Sequence, residues 1–387
     1  MRDRFPSFGS KLPIERRAER IADPVDRLRF LRQEMATSTV KPIEPVKARK
    51  FPASRHAWLA LLPALVLATG PTPKGAAETM ARERGLLVPH AESVSAVSTE
   101  VPRVWRVERS DTTETYSNGL HVDLTYTVSN RPRARFAVYS LSGAFTPVKT
   151  GDAPVGIVYH MSESNLAPFE EEENHKLKRY GRYMLEGIRS ERAYHYVIDR
   201  FGRVFAVVAE SDAANHAGFS IWADSQGIYV NLNDSFLSVS FEGQTESPDQ
   251  VTPAQTEAAK LLTEMLRSRY GIAAENCVTH AQVSVNPLNM HIGNHVDWAS
   301  SFPFAALGLP NNYAIPLPSV YVFGFIFDDV FLSVTGGRWK GLDLAVAQLE
   351  RQAAAENTPL RQYRAMLRHR YKEIAAALKD ESEEAQK

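Results

Sequence analysis

The chain has 387 residues, and its 45 Lys and Arg residues balance its 45 Asp and Glu residues, so its formal net charge is zero. This balance implies no bulk electrostatic attraction, and we expect no nucleic-acid partner. The single cysteine, Cys277, excludes an internal disulfide and a cysteine-based zinc cluster. Because Cys277 lies in a predicted strand, we expect its thiol to be buried and inert.

The first hundred residues divide into three segments. Residues 1–56 carry 14 Lys or Arg against 7 Asp or Glu and show no clear period, which predicts a basic, disordered tail. Residues 57–70, AWLALLPALVLATG, are apolar throughout. They are too short for a spanning helix, which needs about 20 residues, but they fit the core of a signal peptide with a basic flank. Residues 71–100 are predicted to be a linker.

The apolar segment 57–70 lies unusually far from the first Met. Translation starting at Met35 would give an ordinary signal peptide, whereas the full chain would carry an uncleaved anchor and associate with a membrane. A buried helix of a soluble protein is the third interpretation. We expect an extracytoplasmic protein, periplasmic or secreted, that is either free or membrane-anchored.

Residues 101–150 change character and predict a small antiparallel β unit. The segments VWRVER, LHVDLTYTVS and ARFAVYSL alternate and are rich in β-branched and aromatic residues, and Ser117-Asn-Gly119 marks a turn.

Residues 151–305 predict an α/β domain with a central mixed β-sheet flanked by helices. Strands are expected at 155–160, 193–199, 203–209 and 235–241, and a helix at 175–190. A second helix is predicted over Pro253–Tyr270. Thr252 and Gln255 form a capping box, Pro253 suits the first helical position, and Gly271 suits the C-terminal cap.

Residues 306–387 predict a C-terminal extension with two helices, at 342–355 and 360–378. An apolar stretch at 320–334 is expected to be a pair of core strands. The second helix is basic on one side, which is typical of a solvated face; a groove for an anionic glycan or a membrane surface is the alternative.

The segment VTHAQVSVNPLNMHIGNHVDWASSFPF holds the densest group of candidate functional residues, His280, His295 and Asp297. Imidazole and carboxylate groups suit zinc, and loops on a rigid scaffold often carry such groups. His160 ends a predicted strand, where polar groups of α/β folds often meet a ligand. The acidic run 170–173 would suit a glycosidase only as carboxylates paired in a cleft, and a solvated loop is favoured.

The motifs YHMSES, RAYHYVIDRFGRVF, ANHAG, DSFLSVSFEG, a TPAQ-led helix, VTHAQV and VDWASSFPF follow one another over residues 154–304. In this order they resemble the zinc N-acetylmuramoyl-L-alanine amidases of the type 2 family. That family also includes the peptidoglycan recognition proteins and phage lysozyme-type amidases.

The resemblance implies a metal site of His160, His280 and Asp297 that holds one Zn²⁺ per chain. Two histidines and one carboxylate would leave a fourth position for water, as in catalytic zinc sites. Catalytic roles would fall to Tyr194 and to His295, which stands where some members have a lysine; both would stabilise the oxyanion. Substrate would be contacted by His216, Asn215 and Trp298.

The general base is the weakest part of the resemblance. Ser240 stands where some amidases carry a glutamate, although catalytic recognition proteins also have serine there. Glu242, two residues on, would be a weak substitute, and a base is dispensable if zinc already holds hydroxide. His291 is a competing but less suitable metal ligand.

The implied function is zinc-dependent hydrolysis of the amide between N-acetylmuramic acid and L-alanine, with peptidoglycan or muropeptides as partners. Two alternatives stay open: a non-catalytic peptidoglycan-binding module, or a zinc hydrolase of a different amide.

Overall fold

The computed structural model describes residues 101–141, 147–245 and 251–384, with side chains up to residue 378. The predicted basic tail, the apolar segment 57–70 and the linker therefore lie outside the described residues. Among the helices that are described, none combines the length and hydropathy needed to cross a membrane.

Fourteen strands are described. In chain order they are β1 (Arg106–Arg109), β2 (Thr113–Tyr116), β3 (His121–Asp123), β4 (Phe136–Tyr139), β5 (Pro147–Gly151), β6 (Gly156–Met161), β7 (Tyr196–Ile198), β8 (Val204–Ala206), β9 (Ile221–Asp224), β10 (Gly227–Val230), β11 (Phe236–Phe241), β12 (Cys277–Thr279), β13 (Val285–Asn286) and β14 (His291–Ile292).

The central sheet has eight strands in the order β1-β2-β3-β8-β7-β11-β6-β12. Strands β7, β11, β6 and β12 are parallel to one another, whereas β7 and β8 are antiparallel. The mixed sheet is therefore confirmed. Strands β5, β4, β10 and β9 form a second, antiparallel sheet, and β13 pairs with β14.

The N-terminal β unit contributes to both larger sheets. Strands β1 to β3 extend the central sheet because β3 pairs in parallel with β8, and β4 and β5 belong to the second sheet. The predicted turn between β2 and β3 is confirmed by Gly119, whose φ of 88° favours glycine.

Seven α-helices are described: α1 (Asn174–Glu191), α2 (Pro253–Tyr270), α3 (His280–Val283), α4 (Pro318–Phe323), α5 (Asp329–Val334), α6 (Lys340–Ala355) and α7 (Leu360–Glu384). Helix α2 has the predicted bounds, because its ends are set locally. Both hydrogen bonds of the capping box are present, and Gly271 adopts the left-handed conformation at the C-terminus.

Helices α1 and α2 cover opposite faces of the central sheet. Tyr196 and Ile198 of β7 pack in the cluster that contains Leu262 of α2, whereas Val197 packs with Met184 of α1. Every residue of β6 and β11 is buried, as expected for parallel strands that are covered on both faces. Cys277 of β12 is also buried, and burial raises the pKa of its thiol to about 12, which confirms an inert cysteine.

The strand pair predicted at 320–334 is wrong, because this stretch forms the short helices α4 and α5. Pro318 begins α4, and Gly324 ends it in the left-handed conformation. Asp328 caps α5 by accepting a hydrogen bond from the backbone N–H of Phe331. Val320, Val322 and Phe323 of α4 and Phe331 of α5 are buried from these helices, since local capping overrides their strand propensity.

The two helices predicted for the C-terminal extension are confirmed, although α7 continues to Glu384. They pack on a buried cluster that includes Phe323 of α4, Leu342 of α6 and Tyr371 of α7. Ile221 of the second sheet and Ile292 of β14 belong to the same cluster, so the extension covers the part of the chain around the loop that follows β14.

His195, directly before β7, is a fully buried structural histidine. The backbone N–H of Ser238 donates to Nδ1 at 3.0 Å, and Nε2 lies 3.1 Å from the carbonyl oxygen of Asp212 and 3.0 Å from Arg133 Nη2. Burial and the neighbouring Arg133 guanidinium lower the pKa of His195 to about 3. The imidazole is therefore neutral over the whole physiological range.

We predict that substituting Gly341 in α6 by alanine destabilises the fold by about 1–3 kcal/mol, the usual cost of overpacking. A Cβ atom there would lie 2.1 Å from the backbone oxygen of Ile315, which cannot move aside cheaply. The matched control is Gly187→Ala in α1, where no atom lies within 4 Å of the added Cβ. Its expected gain is about 1 kcal/mol, from helix propensity. Urea unfolding measures both, and equal stability of Gly341→Ala and the unmodified protein would contradict the packing.

Acid should destabilise the fold through His195. Its folded pKa of about 3 lies below the ordinary value of 6.5, so the unfolded chain binds more protons between these two values. The contribution to stability is complete above about pH 6.5 and is lost as the pH falls, by up to ~1.4 kcal/mol per unit. Denaturant unfolding of metal-free protein between pH 7 and 4 should give a shallower slope for His195→Gln. An unchanged slope would contradict this assignment.

Candidate metal centre

Three buried side chains meet at the carboxyl end of the central parallel strands. His160 lies in β6, His280 begins α3 directly after β12, and Asp297 follows β14 in a loop. Their ligand atoms all lie within 4.8 Å of one another. The Asp297 carboxylate joins the histidines, with Oδ2 3.3 Å from His160 Nδ1 and Oδ1 2.8 Å from His280 Nδ1. The three predicted ligands therefore converge.

Burial and mutual charge set the protonation of this cluster. Burial, together with the neighbouring His280, lowers the pKa of His160 to about 4, so its imidazole is neutral. Burial alone would raise the pKa of Asp297, but its two histidine neighbours hold it well below the ordinary range. A neutral imidazole beside an ionised carboxylate is the protonation state that a metal ion requires of its ligands.

The donor set fits zinc. His160 Nδ1 is fully buried and makes no hydrogen bond, although it faces the Asp297 carboxylate. A buried polar nitrogen without a partner is costly unless something else binds its lone pair. Two imidazole nitrogens and one carboxylate are the ligands of one class of catalytic zinc site, so His160, His280 and Asp297 can hold the ion.

The other nitrogen of His160 is held by His216. His160 Nε2 lies 3.2 Å from His216 Nδ1, a contact that fixes the orientation of the His160 ring. The backbone N–H groups of His216 and Ala217 both donate to Asn233 Oδ1, at 3.1 and 2.7 Å. Asn233 therefore positions the ANHAG loop behind the ligand.

Trp298 lies in the hydrophobic core, which corrects its assignment to substrate binding. Its side chain is only 7% exposed and packs against Phe241 and Phe302. Its indole Nε1 donates to the backbone oxygen of His160 at 3.1 Å. Trp298 therefore holds β6, the strand that carries His160, from the side of the hydrophobic core, and it does not reach the cleft.

A cleft of about 380 Å³ opens over the cluster. Two of the three ligands, His280 and Asp297, line this cleft. Four other residues with predicted roles also line it: Tyr194, Asn215, His216 and His295. Met161, Glu163, Gly218 and Asn233 complete the lining. The structure therefore brings the predicted catalytic and substrate-binding side chains together, apart from Trp298 and Ser240.

The two predicted oxyanion donors each pack on one of the histidine ligands. The Tyr194 ring packs at 5.0 Å from the His160 ring, and burial with the Asp297 and Glu163 charges raises its pKa, so the phenol stays protonated. The His295 ring stacks on His280 at 4.6 Å and 14°. Burial, followed by the neighbouring His280, lowers the pKa of His295.

The candidates for a general base on β11 lie outside the cleft lining. Ser240 is fully buried beside His160 in the strand register, and its hydroxyl has no hydrogen-bond partner among the described residues. The Glu242 carboxylate turns towards α1 and accepts a hydrogen bond from the backbone N–H of Arg200 at 3.0 Å. Glu242 is therefore a structural residue, which corrects its suggested role as a substitute base.

His291 and the acidic run 170–173, the other candidates from the sequence, lie outside the metal cluster. His291 contacts Asp328 at 3.2 Å and is not part of the cluster, so it does not compete as a ligand. The acidic run forms one 3₁₀ turn, Glu171–Glu173, without buried residues. Asn233 and Glu163 were missed; Glu163 lies within the YHMSES motif, but only the fold shows that it lines the cleft.

Comparison with known proteins finds a family match for the central part of the chain. The family model described as N-acetylmuramoyl-L-alanine amidase matches residues 150–297. A search of curated proteins finds no match. Among solved structures, the N-acetylmuramoyl-L-alanine amidase LysC from Clostridium intestinale URNW is 21% identical, and the alignment covers 44% of this chain and 93% of that chain with a TM-score of 0.27.

Two further solved structures are similar at lower identity. AmpDh3 from Pseudomonas aeruginosa, in complex with an anhydromuramic pentapeptide, is 18% identical over 51% of this chain and 85% of that chain, with a TM-score of 0.34. Drosophila peptidoglycan recognition protein SD is 16% identical over 40% and 84%, with a TM-score of 0.26. All three clustered ligands lie within residues 150–297, the part of this chain that matches the N-acetylmuramoyl-L-alanine amidase family model.

Proposed function

We propose that this domain is a zinc-dependent N-acetylmuramoyl-L-alanine amidase. It would cut the amide between the lactyl group of N-acetylmuramic acid and L-alanine in peptidoglycan or muropeptides. The observation that carries the proposal is the convergence of His160, His280 and Asp297 at the floor of an open cleft. When bound, one zinc ion supplies a Lewis acid that polarises the scissile carbonyl and makes water more acidic.

The chain's own residues would supply the stabilisation of developing charge. Tyr194 keeps its proton because its pKa is raised, so its phenol can donate a hydrogen bond to the oxyanion. His295 stacks on His280 and is the second donor. Because each of these side chains packs against a ligand ring, both donors are oriented before substrate arrives.

Substrate orientation would fall to the ANHAG loop. His216 Nδ1 is used by His160, whereas His216 Nε2 is buried, lines the cleft and makes no hydrogen bond within the described residues. It is therefore available to donate to an oxygen of the substrate. Asn215 beside it is exposed, and its Nδ2 donates to the backbone oxygen of Glu191, which leaves its side-chain oxygen free to accept.

A non-catalytic peptidoglycan-binding module is the main rival. The presence of the third ligand favours catalysis, because Asp297 is buried and ionised between the two histidines and would have no reason to be so in a purely binding cleft. A cell-wall substrate agrees with an extracytoplasmic location, which we propose together with export through residues 57–70.

Muropeptide digestion followed by mass spectrometry tests the function. We expect the unmodified protein to release peptides with a free L-alanine amine and saccharides with a free lactyl carboxyl group. Tyr194→Phe, which removes only the phenolic hydroxyl, should lower kcat by about 10²–10³-fold with little change in KM, since the bond forms in the transition state.

Two results would decide against the proposal. Intact glycopeptides after incubation with the unmodified protein, with binding retained, would make the domain a recognition module. Cleavage at any other amide would make it a zinc hydrolase of a different class. Asp297→Ala serves as the inactive control in either case.

A further inference from the structure

Glu163 occupies the rim of the cleft in an unfavourable backbone conformation. Its φ is 50°, in the left-handed region that costs a non-glycine residue of the order of 1 kcal/mol. The side chain lines the same cleft as Tyr194, His280 and Asp297. Strain of this kind persists where the surrounding structure over-determines it, and it is common at functional sites.

Thr245 holds the Glu163 side chain in place. Both the backbone N–H, at 3.0 Å, and the hydroxyl of Thr245 donate to the same carboxylate oxygen, Oε1. These bonds cross 82 residues of sequence, from the loop after β6 to the loop after β11. One carboxylate oxygen is thereby fixed on a residue that lines the cleft.

Amide hydrolysis requires a group that takes a proton from water and returns it to the leaving nitrogen. Most lining groups cannot do this. His280 and Asp297 direct their lone pairs to the metal position, and His216 Nδ1 is occupied by His160. Tyr194 holds its proton too tightly. Glu163 is the one carboxylate of the described cleft lining that lies outside the ligand cluster.

Glu163 is exposed at the cleft, so its carboxylate is open to water and to a substrate that enters. Burial, together with the charges of Asp297 and Glu163, raises the pKa of Tyr194, the phenol that borders the His160 ring. Glu163 therefore lies close enough to the catalytic side of the cleft to act on Tyr194.

We propose that Glu163 is the general acid–base residue of the amidase reaction, an inference that rests on the function proposed above. Its carboxylate accepts a proton from the attacking water while the new C–O bond forms at the lactyl carbonyl carbon. It then donates that proton to the L-alanine nitrogen, which keeps the electron pair of the breaking C–N bond. The products are a carboxylic acid and an amine, and Glu163 returns to its ionised form.

The test is Glu163→Gln in the zinc-loaded, full-length protein. The glutamine side-chain oxygen can still accept both hydrogen bonds from Thr245, so the fold should be kept. We expect kcat on muropeptides to fall by about 10²–10⁴-fold, the usual contribution of a general acid–base group. KM should change by less than about threefold, because the lost interaction belongs to the transition state. Zinc content and the thermal unfolding midpoint should match those of the unmodified protein.

Two controls separate this role from a structural one. Thr245→Val removes the hydroxyl bond to Glu163 but keeps the carboxylate, and its loss of kcat should be at least tenfold smaller than that of Glu163→Gln. Glu186→Gln changes an exposed glutamate on α1 and should leave kcat unchanged.

The possible results separate the role of Glu163 from the proposed amidase function. Retention of kcat within threefold in Glu163→Gln, or an equal loss in Thr245→Val, would overturn the role of Glu163 while the proposed function stands. Failure of the unmodified protein to hydrolyse muropeptides would instead overturn the proposed function and this inference together.

Discussion

An ionised carboxylate buried between two buried imidazoles is the interaction on which the rest of this structure depends. Removing Asp297 from water is costly, and the contacts at 2.8 and 3.3 Å to His280 and His160 offset that cost only while the three side chains stay in register. Much of the surrounding architecture can be understood as the means of holding these three groups at one point.

The central sheet supplies most of that constraint. Strands β6, β11 and β12 are parallel, so their carboxyl ends lie at one edge, where His160 and His280 are brought together although they are 120 positions apart in the sequence. Trp298 holds the backbone of His160 from the core side, and His216 holds its imidazole from the cleft side. The backbone N–H of Ala281 donates to the backbone carbonyl oxygen of Asp297 at 3.2 Å, and this bond connects the third ligand to α3. The C-terminal extension packs around the loop region from which Asp297 comes.

The parts of the fold that could be predicted from sequence are those with local causes. Helix α2 has its cap, its first-position proline and its terminal glycine within the sequence itself, so both ends were predictable. The ligands were predictable only through the resemblance of seven ordered motifs, because a lone histidine at the end of a strand is uninformative.

What could not be predicted depends on long-range pairing or on burial. Nothing within residues 101–150 reveals that β3 pairs with β8, in which Val204, the partner of Val122, lies 82 positions further along the chain. The small β unit therefore gave no sign of joining the central sheet. Trp298 was misassigned because an aromatic residue beside a ligand can face either the cleft or the core. Glu163 was missed because neither its left-handed backbone nor its place in the cleft lining has a signature in the motif YHMSES.

Metal analysis of the purified protein shows directly whether His160, His280 and Asp297 bind zinc. We expect one zinc per chain after loading and dialysis, lost in Asp297→Ala and kept in Asp343→Ala, which changes an exposed carboxylate on α6. Protein that binds no zinc, or an Asp297→Ala variant that retains a full equivalent with unchanged affinity, would contradict this expectation.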